Sequence, residues 1–154
     1  MQKKNVSGRD ERVGGETAKG KNDFEDWIEF EEYLKKKGFP PIIIATAKSI
    51  HVDCIKKYKF PERISYKRKP LISFKTRPSL SRKKTVYAYA EIQKNAIKIF
   101  LSYSGKIPSG NDIIQHPKKP TEFIIKIQTD DGFTTRHKML IKESNEFINA
   151  RLNR

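Results

Sequence analysis

The sequence is short of the residues that build disulfides, thiol-based metal sites and membrane spans. Cys54 is the single cysteine among 154 residues, which excludes an internal disulfide and a Cys-x-x-Cys zinc site. The longest apolar runs, such as "IIIA", are too short to cross a bilayer. No apolar stretch follows the charges at the N-terminus. We therefore expect a cytoplasmic protein, no membrane partner, and a Cys54 side chain that is a small buried hydrophobe rather than a reactive thiol.

Recognisable catalytic and cofactor motifs are equally scarce. The chain has neither a phosphate-cradling glycine loop nor a Gly-x-Ser-x-Gly elbow. Its three histidines, His51, His116 and His137, are scattered over different predicted elements and lack the spacing of metal ligands. We expect no cofactor and no metal, and the sequence favours a binding protein over an enzyme.

One constellation supports an enzymatic alternative. Glu91 and Lys94 lie where a predicted strand ends and a turn begins. Magnesium-dependent nucleases of the restriction type place an acid and a lysine at such a position, where the lysine stabilises developing negative charge. Asp53 or Glu62 would supply the upstream acid, although Gln93 stands where a second carboxylate is usual. A plain hairpin turn is the favoured interpretation of the same residues.

Positive charge is what the sequence has in excess. Lys and Arg number 33 against 18 Asp and Glu, which gives a formal net charge of +15 and a pI near 9.9. Such a surplus attracts phosphate backbones, anionic membranes or acidic proteins, and nucleic acid is the commonest of these partners. The sequence does not distinguish DNA from RNA.

The surplus is unevenly distributed along the chain. Residues 1–21 are polar and carry six basic and three acidic residues, which predicts a disordered basic arm before a single domain at 22–154. Residues 23–34 hold six acids and no base. The acidic face of this helix could pack against basic residues of the same chain or bind a protein partner. Residues 66–85, "YKRKPLISFKTRPSLSRKKT", carry eight Lys or Arg and no acid.

We interpret this basic segment as a grip for nucleic acid, with an inert solvated surface as the alternative. "HPKKP" at 116–120 is a second basic loop that would extend the same surface. The aromatic residues Tyr66, Phe74, Tyr87 and Tyr89 could stack on unpaired bases, although core packing is the favoured role for them. The candidate nucleic-acid-binding residues are Lys67, Arg68, Lys69, Lys75, Arg77, Arg82, Lys83, Lys84, Lys118 and Lys119.

Hydrophobic periodicity predicts an α+β fold with N-terminal helices, an antiparallel sheet of five or six strands and a short C-terminal helix. A helix with an Asn or Asp cap is expected before Gly38. Residues 42–58 fit either one helix that starts at the prolines or a strand at 42–46 followed by a helix, with helix preferred. Three period-two segments indicate hairpins, and a closing helix follows. The hairpins are 63–68 with 71–76, 85–93 with 96–103, and 123–128 with 133–141, and the helix begins near 143.

Residues 64–152 resemble a small α+β domain of unknown function found with restriction-type nucleases and type I restriction subunits. The resemblance rests on "YAYAEIQKNAIKIFLSYSGKIP" and on "FIIKIQTDDGF" followed by "ESNEFINARL". It implies association with DNA-processing or defence systems and does not imply a reaction. We therefore expect a nucleic-acid-binding domain with little sequence preference, and a small nuclease or a protein-interaction module are the alternatives.

Overall fold

A computed structural model describes residues 23–57, 63–77, 85–102 and 107–153. The predicted arm at 1–21 lies outside these residues. The described chain forms seven strands, three α-helices and a short 3₁₀ helix at Asp130–Gly132. The strands are β1 (Asp23–Phe24), β2 (Ile64–Lys67), β3 (Leu71–Lys75), β4 (Val86–Ile92), β5 (Ile97–Ser102), β6 (Ile113–Gln115) and β7 (Glu122–Ile127); the helices are α1 (Trp27–Lys36), α2 (Pro41–Lys57) and α3 (Thr135–Leu152).

The strands form one antiparallel sheet in the order β1-β2-β3-β4-β5-β7-β6. The β2–β3 and β4–β5 hairpins form as predicted, because each pairs two alternating segments across a short turn. Apart from β1, which has two residues, the sheet has six strands. The α+β class with helices at both ends of the chain is confirmed.

The first helix begins later than the predicted acidic helix at 23–34, because Asp23 and Phe24 pair with β2 and α1 starts at Trp27. Asp26 caps α1 by accepting a 3.0 Å hydrogen bond from the backbone N–H of Glu29. Gly38 follows the helix with φ +80°, a conformation that an L side chain disfavours. One stripe of the helix, formed by Trp27, Phe30 and Leu34, is buried.

Helix α2 starts at the prolines, so the single-helix alternative is confirmed and the strand at 42–46 does not form. Pro41 suits the first helical position, where its missing N–H would have no intrahelical partner. Ile43, Ala47 and Ile50 face the core at helical spacing. Cys54 is buried on the same stripe, as expected.

The strand expected at 133–141 is wrong, because α3 begins at Thr135. Thr134 caps this helix by accepting from the backbone N–H of His137, and His137 Nδ1 accepts from the backbone N–H of Thr134. The alternation at 133–141 therefore conceals a helix start. Strand β7 instead pairs with β5 on one side and on the other with β6, a three-residue strand in a segment for which no strand was expected.

Alternation gives the sheet two different faces. The core face meets the buried side chains of all three described helices in one cluster. Its residues are Ile64, Tyr66, Ile72, Phe74, Ala88, Ala90, Ile92, Ile97, Ile99, Leu101, Phe123, Ile125 and Ile127. We call the opposite side the open face; Tyr89 and Phe100 lie on it, outside the core cluster.

A helix that spans a membrane must be both long and predominantly apolar. Each of α1, α2 and α3 is too short or too polar to cross a bilayer.

Candidate nucleic-acid interface

The open face carries four lysines on four different strands. Lys67 lies on β2, Lys75 on β3, Lys98 on β5 and Lys126 on β7, each in register with residues that point away from the core. Lys98 and Lys126 are direct cross-strand partners. Among the described residues, neither of these two has a carboxylate within salt-bridge distance. Neither ammonium group is held in a described salt bridge, although Glu91 on β4 is the cross-strand neighbour of Lys98.

Two stacked aromatic rings lie beside these lysines. Tyr89 and Phe100 are cross-strand partners, and their ring centroids are 4.6 Å apart with an interplanar angle of 10°. Both side chains are half-buried. The His116 ring approaches Phe100 edge-on at a centroid distance of 6.0 Å. The open face thus presents a planar aromatic pair in the middle of the sheet.

The carboxylates of Glu91 and Glu122 lie near the Tyr89 ring and reduce the net positive charge there. Partial burial raises the pKa of the Tyr89 phenol, and the nearby charges of Glu91 and Glu122 raise it further. Glu91 accepts a 2.8 Å hydrogen bond from the amide of Gln93. Glu122 pairs with Lys119 at 3.7 Å. Tyr89 is therefore a neutral ring at physiological pH.

The tip of the β2–β3 hairpin contacts the first helix. The Arg68 guanidinium carbon lies 4.9 Å from the centroid of the Phe24 ring and 5.9 Å from that of Tyr33. The Tyr33 hydroxyl donates a 2.9 Å hydrogen bond to the backbone carbonyl of Arg68. Lys69 is exposed at the same tip. Arg68, one of the predicted nucleic-acid-binding residues, therefore holds the hairpin against α1.

The predicted basic residues divide between the two ends of β3. Lys67, Arg68 and Lys69 precede this five-residue strand, and Arg77 follows it. A strand of that length spans about 17 Å, so the two groups do not form one cluster. Arg77 donates a hydrogen bond to the side-chain oxygen of Asn153, beyond the end of α3.

Three of the predicted residues, Arg82, Lys83 and Lys84, lie outside the described residues.

The second basic loop lies at the edge of the open face. Lys118 and Lys119 are both exposed, and the backbone N–H of Lys118 donates a 3.1 Å hydrogen bond to Nδ1 of His116. A shallow depression joins Lys119 to the rings of Tyr89 and Phe100. The structure thus brings this loop together with the open face, rather than with the hairpin tip.

Of the four aromatic residues considered as stacking partners, three are core residues. Tyr66, Phe74 and Tyr87 are buried, and the Tyr66 hydroxyl lies 2.7 Å from Nδ1 of His51. Tyr89 alone among the four lies on the open face. Phe100 was not among the predicted stacking residues, although the alternation in β5 places it on the face opposite the buried isoleucines.

The same alternation in β5 and β7 would have identified Lys98 and Lys126 as residues of the open face.

The residues of the nuclease alternative do not converge within the described chain. Glu91 lies on the open face, whereas Lys94 Nζ lies 5.5 Å from the ring centroid of Phe39, which packs on the helical side. Asp53 pairs with Lys138 at 3.7 Å, between α2 and α3. Glu62 lies outside the described residues. The described part of the chain brings no three His, Cys, Asp or Glu side chains together in a metal-binding geometry.

Comparison with protein-family models, curated proteins and solved structures gives no match to this chain. The association with restriction systems therefore remains a prediction, and the geometry of the open face is the basis for a functional proposal.

Proposed function

We propose that this protein is a nucleic-acid-binding domain that holds the phosphate backbone against the open face of its sheet and the adjoining basic loops. One observation carries the proposal: lysines from four separate strands lie on the single sheet face that the described helices leave uncovered. Lysine ammonium groups displace counterions from phosphates, which makes binding favourable and salt-dependent.

The chemistry of these contacts predicts little sequence preference. A lysine contacts a phosphate as a point charge and reads no base edge. A role as an accessory to a DNA-processing or defence system is part of the proposal, and it rests on the resemblance of residues 64–152.

The test is a salt titration of binding to labelled DNA and RNA. Each phosphate contact that is lost should reduce the slope of log K against log [salt] by about one. Lys98→Ala combined with Lys126→Ala should therefore reduce the slope by about two. Both side chains are solvent-accessible and have no described carboxylate partner, so the fold should tolerate the change.

Lys48→Ala combined with Lys56→Ala is the matched control. These lysines are equally basic and are exposed on α2, on the helical side of the molecule. The control removes the same total charge, and its slope should stay close to that of the unmodified protein. Equal slopes for the two double variants would refute the assignment of the open face, because they would leave only a general charge effect.

Residues 82–84 of the basic segment, which lie outside the described residues, are tested separately. Arg82, Lys83 and Lys84 belong to the basic segment, and replacing all three by alanine should also lessen the salt dependence. An unchanged slope in this triple variant would remove residues 82–84 from the interface without affecting the proposal for the open face.

A further inference from the structure

We propose that the open face selects single-stranded nucleic acid by stacking an unpaired base on the Tyr89–Phe100 pair. The inference rests on the proposed function and adds the class of ligand. The two rings are nearly parallel, with an interplanar angle of 10°. Both rings keep accessible surface, and an unpaired base that stacks there adds a further aromatic plane. Stacking requires only the π-face that every base has, so it is tolerant of sequence.

Burial separates these two rings from the aromatic core. Phe30, Phe74 and Tyr87 are almost completely buried in the cluster beneath the sheet. Tyr89 and Phe100 retain accessible surface and lie outside that cluster. Large aromatic side chains on the solvent side of a sheet bury less apolar surface than they would on its core face. Their position suits contact with a ligand.

Charges flank the rings in the arrangement that a single strand requires. Lys98 lies two residues before Phe100 on β5, about 7 Å away along the strand, and Lys126 lies beside Lys98. Lys119 lies on the other side of the rings, next to the depression. A backbone that crosses the face parallel to β5 would meet cations before and after the base that stacks.

Two carboxylates on the open face, those of Glu91 and Glu122, repel phosphates from part of that face. Glu91 is the cross-strand partner of Lys98, and Glu122 pairs with Lys119. Both repel a phosphate placed directly over Tyr89. Lys126 has a lysine rather than a carboxylate as its partner on β5, and neither Lys98 nor Lys126 forms a salt bridge within the described residues, so a phosphate is best placed beside these two side chains. The neutral Tyr89 phenol adds no repulsion of its own.

A duplex cannot make this contact without distortion. Its bases already stack on one another, and an added aromatic plane requires a base to leave the helix. The open face should therefore bind an unpaired strand more tightly than a duplex of equal length at the same salt concentration.

The experiment compares a short labelled oligothymidine with its abasic counterpart, which keeps the sugars and phosphates but lacks the bases. Fluorescence anisotropy gives the affinity of each. Loss of one stacked base should weaken binding roughly five- to hundredfold. Phe100→Leu should remove most of this difference while leaving the salt slope unchanged, because no charge is lost. Tyr89→Leu is the second variant.

Phe147→Leu is the matched control, since Phe147 is a half-buried aromatic residue on α3. It should keep the full difference between intact and abasic strands. Equal affinity of the unmodified protein for the two strands would overturn the stacking proposal, as would tighter binding of a duplex. These results would leave the proposed function intact if binding stayed salt-dependent. Absence of salt-dependent binding to every oligonucleotide would refute both.

Discussion

The hydroxyl of Ser144 on α3 donates a 2.7 Å hydrogen bond to the backbone carbonyl of Tyr87 on β4. The β3–β4 ladder is irregular there, since Phe74 pairs with Ala88 while Lys75 pairs with Val86, and Tyr87 is the extra residue. A bulge leaves backbone groups without their ladder partners, so a buried carbonyl needs another donor. Ser144 supplies that donor and connects the last helix to the irregular end of the sheet.

We expect Ser144→Ala to destabilise the protein by about 1–3 kcal/mol, because it leaves a buried carbonyl without a donor. The Ser144 hydroxyl also lies 2.6 Å from the carbonyl of Ser102, so two strands lose a polar contact. Urea unfolding followed by circular dichroism measures the change. Ser49→Ala on α2 is the control and should alter stability by less than about 0.5 kcal/mol. An unfolding free energy for Ser144→Ala equal to that of the unmodified protein would contradict the assigned role.

Local signals predicted the elements that depend on neighbouring residues. The glycine after α1 and the turns of the first two hairpins each involve only a few consecutive residues, and each formed as expected. The start of α1 was predicted too early, because Asp23 and Phe24 pair with β2 and the cap is Asp26. The start of α3 was missed because Thr134 and His137 cap one another within a stretch that alternates like a strand. Period-two alternation cannot distinguish the two structures over such a short segment.

The candidate site depended on long-range relationships, and the sequence predicted less of it. Alternation along β4 assigns Tyr87 and Tyr89 to one face, but the bulge turns Tyr87 into the core next to Phe74. The pairing of β5 with β7 sets Lys98 beside Lys126, although 27 residues separate them in the chain. Counting charges therefore identified the basic segment and overlooked the lysines that meet only when the sheet forms.

The conformation of Gly38 gives a second stability prediction. Its φ of +80° is the left-handed region, where a Cβ costs about 1–2 kcal/mol. A Cβ there would have space, since its nearest neighbour is Lys94 Nζ at 3.7 Å. Gly38→Ala should therefore destabilise through the backbone alone, as measured by thermal or urea unfolding. Gly38→Asn should lose less, because asparagine tolerates this conformation. Similar losses for both variants would point to steric conflict instead.

The Asp112 carboxylate predicts a specific component of acid denaturation. The hydrogen bond from His137 Nε2 is the main cause that lowers the pKa of Asp112, and Arg136, 3.5 Å away, lowers it further. Because the folded-state pKa lies below that of the unfolded chain, this stabilisation is present above pH ~4 and is lost as the pH falls through the folded-state pKa.

Asp112→Asn should accordingly lower stability at pH 7 and make it less sensitive to acid. Urea midpoints at neutral and acidic pH measure both effects. Asp131→Asn, at an exposed acid of the 3₁₀ helix, is the control and should keep the normal acid sensitivity. The assignment fails if Asp112→Asn loses as much stability on acidification as the unmodified protein does.

Arg68 and Lys69 are adjacent at the hairpin tip, yet we expect different effects on stability when each is replaced by alanine. The Arg68 guanidinium packs over the rings of Phe24 and Tyr33, so Arg68→Ala should cost about 0.5–1 kcal/mol of stability. Lys69 is exposed, so Lys69→Ala should leave stability unchanged. If the tip contacts a phosphate, Lys69→Ala should instead reduce the salt slope of binding by about one.

Paired measurements of unfolding and of salt-dependent binding on these two variants separate the two roles. A reduced salt slope in Arg68→Ala without loss of stability would show that the guanidinium contacts the ligand and not the helix. Unchanged binding in both variants would confine the interface to the open face and the loops at its edge. Either result would then decide whether the charge at this hairpin tip holds a nucleic acid or holds the sheet to α1.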